Sequence, residues 1–200
     1  MESYSTLSDE ELALCAKAGD GDAFEELFKR LYAPTFGVCL RPLGDVEDAH
    51  DATMETFVRA FIAMGKCTYK PERVRLFRSW LFRIATNVCL DMLRKRQRTP
   101  LTVPLHEATA GGEEQDYEWV DCNVKWDPEA ISDRRPVREA YDELDPLERV
   151  ALAKRFFAEE TWQEVADDME LTYSQARYLG IKAARHFAEN LARRGITFEP

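Results

Sequence analysis

Phe77-Arg78-Ser79-Trp80-Leu81-Phe82-Arg83-Ile84-Ala85-Thr86-Asn87-Val88-Cys89-Leu90-Asp91-Met92-Leu93-Arg94 carries two periodic patterns at once. Phe77, Trp80, Leu81, Ile84, Val88 and Met92 recur at steps that put them on one face of an α-helix, so the stretch predicts a strong amphipathic helix. Arg83, Asn87, Asp91 and Arg94 recur at steps of three or four on another face, expected to point away from the core. No Gly or Pro interrupts either pattern.

The flanks of this helix are basic. Lys66, Lys70, Arg73, Arg75 and Arg78 precede Trp80, and Arg94-Lys95-Arg96-Gln97-Arg98 follows. Residues 66–98 hold 10 basic and 2 acidic side chains, whereas 1–65, 99–135 and 136–200 each carry an acidic excess within a chain of net charge −10. The average therefore hides a block suited to phosphate, which gives sequence-independent affinity. Tyr69 or Trp80 offers a face on which an unstacked base can lie, and Asn87 can pair with a base edge. A solvated charged helix face is the competing reading of the same residues.

Upstream, Gly65 to Leu76 is a polar, Pro-containing loop. Before it, Ala49, Ala52, Thr53, Thr56, Phe57, Ala60, Phe61 and Met64 form the expected buried stripe of another helix, started at Gly44-Asp45. Ser8-Asp9-Glu10-Glu11 is a capping box that opens a short helix ending at Gly19-Asp20-Gly21, and Phe24, Leu27, Phe28 and Leu31 mark the next.

Downstream, Pro100, Pro104, Gly111-Gly112 and the acidic run Glu113 to Glu118 show no helical period and read as a flexible acidic linker over 99–135, although Asp127-Pro128 is a helix-start signal. So long an unstructured stretch argues for two domains, 1–98 and 136–200. In the second, Asp145-Pro146-Leu147-Glu148 and Thr161-Trp162-Gln163-Glu164 start helices, Glu170-Leu171-Thr172 is a turn, and a last helix runs from about Tyr173 to Arg194. Two helices joined by so short a turn are a helix-turn-helix candidate, an ordinary helical hairpin being the alternative. Tyr173, Ser174, Gln175, Arg177, Tyr178, Lys182 and Arg185 lie on its outer side, where the N-terminal part of such a helix meets a major groove. No strand-like alternation is present, so the fold class is all-α.

Other classes have little support. No apolar run approaches a membrane span, and Met1 to Ser5 lacks the start of a signal peptide, so a cytoplasmic protein without membrane insertion is expected. Cys15, Cys39, Cys67, Cys89 and Cys122 form no CxxC pair, and with His50, His106 and His186 they show no zinc-ligand spacing. Cys15, Cys39 and Cys89 sit among apolar residues and read as small buried hydrophobes, while Cys67 has polar and basic neighbours. Asp45, Glu47, Asp48, Asp51 and Glu55 are acidic, but no His, Cys or Gly-rich phosphate loop converges on them. They read as a docking or solvated face rather than a catalytic or metal site. Neither cofactor, metal nor enzymatic activity is expected.

The order of these pieces, with Asp48-Ala49-His50-Asp51-Ala52-Thr53-Met54-Glu55-Thr56-Phe57-Val58-Arg59-Ala60-Phe61 and Phe77 to Arg94, resembles the extracytoplasmic-function group of sigma-70 family sigma factors. The resemblance covers nearly the whole chain. It implies that Asp48, Asp51, Met54, Glu55, Phe57 and Arg59 dock on core RNA polymerase, and that the loop from Gly65 to Leu76 captures a flipped minus-ten base. Lys66, Tyr69, Lys70, Arg73, Arg75, Trp80, Arg83, Asn87 and Arg94 would then lie along minus-ten promoter DNA, with Asn87 as base reader. Tyr173, Ser174, Gln175, Arg177, Tyr178 and Lys182 would meet the minus-thirty-five element, and an anti-sigma factor is an expected partner. The acidic linker resembles the segment that threads the polymerase channels. Three positions depart from the family pattern: Met54 stands for a usual Gln, Leu179 for a usual Arg, and Gly180 for a usual large apolar residue. The implied function is promoter recognition and melting. A sigma-like decoy that sequesters an anti-sigma factor and a free-standing helix-turn-helix regulator are the rivals, with a metal-dependent hydrolase resting only on the carboxylates.

Overall fold

In the computed structural model, which describes residues 4–66, 76–96 and 135–196, every regular element is helical. Ser8 opens α1 (Asp9–Lys17) with the capping box expected from sequence, its hydroxyl accepting from Glu11 N–H while Glu11 accepts from Ser8 N–H at 2.7 Å. Asp20 caps α2 (Gly21–Leu43). This helix runs far beyond the Phe24 to Leu31 signal, continuing through Pro34 and Pro42, because Thr35, Val38, Cys39 and Leu43 are buried along it. Tertiary packing there overrides the weak helix preference of proline. Gly44, at φ 70°, ends α2 in the left-handed conformation that favours glycine. Asp45 then caps α3 (Val46–Gly65), as its position implied.

Helix α4 (Phe77–Arg96) buries Phe77, Leu81, Phe82, Ala85, Val88, Cys89, Leu90 and Leu93. Its buried arc is thus broader than the sequence stripe, and Trp80, Ile84 and Met92 lie at its half-buried margins. The stripe of α3 is buried as expected except for Phe61, which is 57% exposed while its ring rests 5.1 Å from that of Phe24. Cys39 and Cys89 are buried and Cys15 is half-buried, in line with the reading of all three as small hydrophobes.

The remaining helices are α5 (Arg135–Asp142), α6 (Pro146–Phe156), α7 (Trp162–Met169) and α8 (Tyr173–Ala192). Capping boxes at Asp145/Glu148, Thr161/Glu164 and Thr172/Gln175 start the last three. The Thr172/Gln175 box lies within a segment whose sequence otherwise reads as a turn. Helix α6 lies on α2 and α4. One apolar cluster joins Val38, Phe82, Ala85, Val88 and Leu93 of the first helices to Val150, Val165, Met169 and Leu179 of the last. The expected linker and the Asp127-Pro128 helix start lie outside the described residues.

Candidate nucleic-acid interface

Arg83, Asn87 and Arg94 do share one face of α4, but that face does not point to solvent as the helical pattern suggested. It meets the acidic side of α7 and the buried end of α6. The Arg83 guanidinium donates to Glu164 at 2.7 Å and lies 3.5 Å from Asp168 and 3.9 Å from Glu160. Burial opposes its charge, yet the three carboxylates outweigh that and hold it above its ordinary value. Arg94 pairs with Glu170 at 3.3 Å and donates to the Asp168 carbonyl at 3.4 Å. The fourth member of the predicted polar row, Asp91, turns the other way and pairs with Arg59 at 3.2 Å.

Asn87 accepts a hydrogen bond from Lys154 Nζ. Lys154 is fully buried and also donates to Asp168 at 2.9 Å and Glu160 at 3.2 Å, so its three N–H bonds are all used. Burial pushes the Glu160 carboxyl up to about 7, with Lys154 pulling the other way. Asp168 is also penalised by burial, but Lys154 and Arg83 together keep its carboxyl below the usual range. Neither Lys154 nor Glu160 was a site candidate in the sequence. Only their distance in sequence from Asn87 hid them, since a Lys at an otherwise buried helix position is a signal in itself.

Around this cluster, Arg41 Cζ lies 5.3 Å from the Tyr141 ring centre and 5.9 Å from that of Phe157. Arg149 donates to the Arg41 carbonyl at 2.6 Å. Trp80 is half-buried against Phe77, ring centres 5.5 Å apart, and Lys66 is exposed at the end of α3. Tyr69, Lys70, Arg73 and Arg75 lie outside the described residues, as does Cys67.

The opposite side of the α3–α4 pair is open. Met54, Val58, Phe61 and Ile62 are each roughly half exposed. Asp51, Met54, Glu55, Val58, Arg59, Val88, Asp91, Met92 and Lys95 line a groove of about 500 Å³ between the two helices. Glu55 pairs with Arg59 at 2.8 Å, and Asp48 pairs with Arg96. Phe57 does not share this surface: it is 3% exposed and its ring packs 4.8 Å from that of Phe28. Its position on the buried stripe already said so.

On α8, Tyr173 and Ser174 are exposed, Gln175 closes the capping box, and Arg177, Tyr178 and Lys182 are half-buried. Lys182 lies 3.8 Å from Glu148. Leu179 and Gly180 face inward. A Cβ on Gly180 would fall 2.0 Å from the Trp162 ring, so glycine is what lets α7 and α8 approach. The cost of glycine inside a helix is offset by seating the indole, and Leu179 is buried beside it. Among the described residues, no group of three His, Cys, Asp or Glu is placed to hold a metal ion, and no helix is long and apolar enough to cross a membrane.

Residues 27–99 match the family model for Sigma-70 region 2. The chain is 36% identical over 81 residues to the ECF RNA polymerase sigma factor SigW of Bacillus subtilis, covering 40% of this chain and 41% of that one. It is 31% identical over 166 residues to SigG of Mycobacterium tuberculosis, covering 76% of this chain and 43% of the relative. It thus spans less than half the length of both. RNA polymerase sigma-H factor of Pseudomonas aeruginosa is 26% identical over 84% of this chain and 86% of its own. In fold, the chain is similar to CnrH, solved in complex with the cytosolic domain of CnrY, at a TM-score of 0.51 and 22% identity, over 92% of this chain and 97% of that one. Helix order, the region-2 match and these relatives agree in what they liken the chain to: residues 27–99 carry a Sigma-70 region 2, and the chain is similar to sigma factors of the extracytoplasmic-function group.

Proposed function

We propose that the chain is a sigma factor that binds core RNA polymerase, recognises promoter DNA and helps to melt its minus-ten element. The observation that carries this reading is the pairing, on two helices within the region-2 match, of an open groove with charged walls and exposed Met54 and Val58 beside a separate face bearing Arg83, Asn87 and Arg94. The groove and its exposed neighbours Asp51, Met54, Glu55 and Arg59 form the polymerase-docking surface, and buried Phe57 holds α3 in place beneath it. Asn87 reads an exposed base, with Lys66, Trp80, Arg83, Arg94 and the loop residues Tyr69, Lys70, Arg73 and Arg75 along the same strand. Melting is then selective capture: holding bases of one strand shifts the duplex towards the open state.

In this reading residues 1–98 form the melting domain, 99–135 a linker and 136–200 the minus-thirty-five domain. Tyr173, Ser174, Gln175, Arg177 and Tyr178 sit in the first two turns of α8, the part that enters a major groove, and Lys182 lies at its middle. An anti-sigma protein is the expected regulator. That the fold relative was solved with a cytosolic domain of a second protein supports such a partner. Leu179 and Gly180, the departures from the family pattern in α8, both have packing explanations that leave its outer face intact, which weighs against the decoy reading.

The test is co-purification with core RNA polymerase at low salt, followed by run-off transcription. A chain that does not bind core polymerase is not a sigma factor. Within the complex, Asn87→Ala is expected to reduce open-complex formation while leaving polymerase binding intact; equal loss of both would remove Asn87 from its assigned role.

A further inference from the structure

Cys39 and Cys89 lie 50 positions apart in the chain and meet where α2 packs on α4. Both are fully buried in one apolar cluster, as small hydrophobes would be. Burial does not require two sulfurs to touch, yet these do. Cys89 Sγ lies 3.9 Å from the Cys39 carbonyl oxygen, and the two thiols hydrogen-bond to each other. The surroundings of Cys39 are polar for a core. The hydroxyls of Thr53 and Thr56 lie against its thiol while donating at 2.6 Å to carbonyls within α3. One turn before Cys39 on the same face of α2, the buried Thr35 hydroxyl has no hydrogen-bond partner among the described residues. A buried hydroxyl of that kind is a place to hold a small polar molecule. Cys15, by contrast, packs in a different cluster with α1.

The two thiols are not equivalent. Contact with Cys89 holds the Cys39 thiol below its ordinary value despite burial, whereas contact with Cys39, and then burial, pushes Cys89 well up. Cys39 therefore ionises first, and the thiolate is the reactive form. We propose that Cys39 and Cys89 are an oxidation site, a dithiol that small hydroperoxides convert to a disulfide tying α2 to α4. The Cys39 sulfur attacks one oxygen of the hydroperoxide; the O–O bond breaks, and the other oxygen leaves with a proton as water or alcohol. Cys89 then attacks the Cys39 sulfenic acid. The S–S bond forms as the S–O bond breaks, and a water leaves with the Cys89 proton. The thiols lose two electrons and the peroxide gains them. The chemistry is independent of the proposed sigma function, since it needs only the packing of α2 on α4. The bond closes the chain from 39 to 89 around all of α3, which restricts the unfolded state and stabilises the fold.

The test uses the full chain with Cys15→Ser, Cys67→Ser and Cys122→Ser, so that only the pair remains, treated with hydrogen peroxide under native conditions. Expected are a mass loss of about 2 Da, for two hydrogens, and a cross-linked peptide pair containing residues 39 and 89. The unfolding midpoint should rise by about 5 °C, reversed by dithiothreitol. The same peptide pair is expected from the wild-type chain, which covers the case in which the triple variant folds poorly. With Cys89→Ser added, oxidation should stop at a Cys39 sulfenic acid that dimedone traps; with Cys39→Ser added instead, the remaining thiol should react at least about tenfold more slowly. Absence of the 39–89 cross-link from folded protein overturns the proposal, as does its formation only at the rate of global unfolding. Equal peroxide reactivity of the two single-cysteine chains overturns the assignment of Cys39 as the attacking sulfur.

Discussion

The two faces of the α3–α4 pair differ in how the rest of the chain treats them. One carries Met54, Val58, Phe61 and Ile62, apolar side chains left half exposed beside a groove with charged walls. The other, with Arg83, Asn87 and Arg94, is polar yet covered by α6 and α7. Burial by hydrophobicity alone would give the reverse. Exposed apolar side chains grouped on one face make a surface suited to contact with another molecule. A covered polar face, fully paired, is a contact that the chain makes with itself.

The contrast can be broken most severely at Lys154. Lys154→Ala leaves buried Glu160 without its ammonium partner, along with the partly exposed Asp168 and Asn87, and is expected to cost about 3–5 kcal/mol of stability. Urea denaturation measures it; a loss below about 1 kcal/mol would mean that water replaces the ammonium.

Next is pH. Glu160 is 2% exposed and faces Lys154, Arg83, Asp168 and, beyond Arg83, Glu164. Its carboxyl is raised to about 7 from 4.5. A raised carboxyl adds stability below its unfolded value and gives it up as pH rises through the folded one, so the native state weakens between about pH 4.5 and 7 by at most about 3 kcal/mol. Asp168, held below its ordinary value, acts in the opposite sense only at more acid pH. Glu160→Gln should flatten this slope, seen as a smaller change in denaturation midpoint between about pH 5 and about pH 8.

Gly180→Ala drives a methyl into the Trp162 ring and should cost about 1–3 kcal/mol, with α7 shifting away from α8. Trp162→Leu in the same chain should recover part of that loss. The smallest effect on stability belongs to the open face. Met54→Asp is expected to change unfolding free energy by less than about 0.5 kcal/mol, yet to abolish capture of core polymerase. Loss of both together would show that Met54 supports the fold rather than a partner.

Helix starts were legible because capping is local: Ser8, Asp45, Asp145 and Thr161 each satisfy backbone donors within three residues. The α3 stripe and the acidic side that faces solvent were legible for the same reason, since period fixes which residues share a side. Where each side points was not. Phe61 lies on the stripe yet is exposed, and the Arg83 row lies off the stripe yet is covered, because direction depends on what packs against the helix. Gly180 departs from the family pattern, and the reason, Trp162 packed against it, lies eighteen positions earlier in the chain.

By itself, then, the sequence determined an all-helical chain, its helix starts, the placing of basic and acidic blocks and the family resemblance, all functions of neighbours along the chain. Tertiary structure decided that Asn87 meets Lys154 and Arg83 meets Glu164, across 67 and 81 positions. Such pairings follow from how apolar surfaces close over one another. Charge pattern alone, which offers each arginine many possible acid partners, cannot select among them.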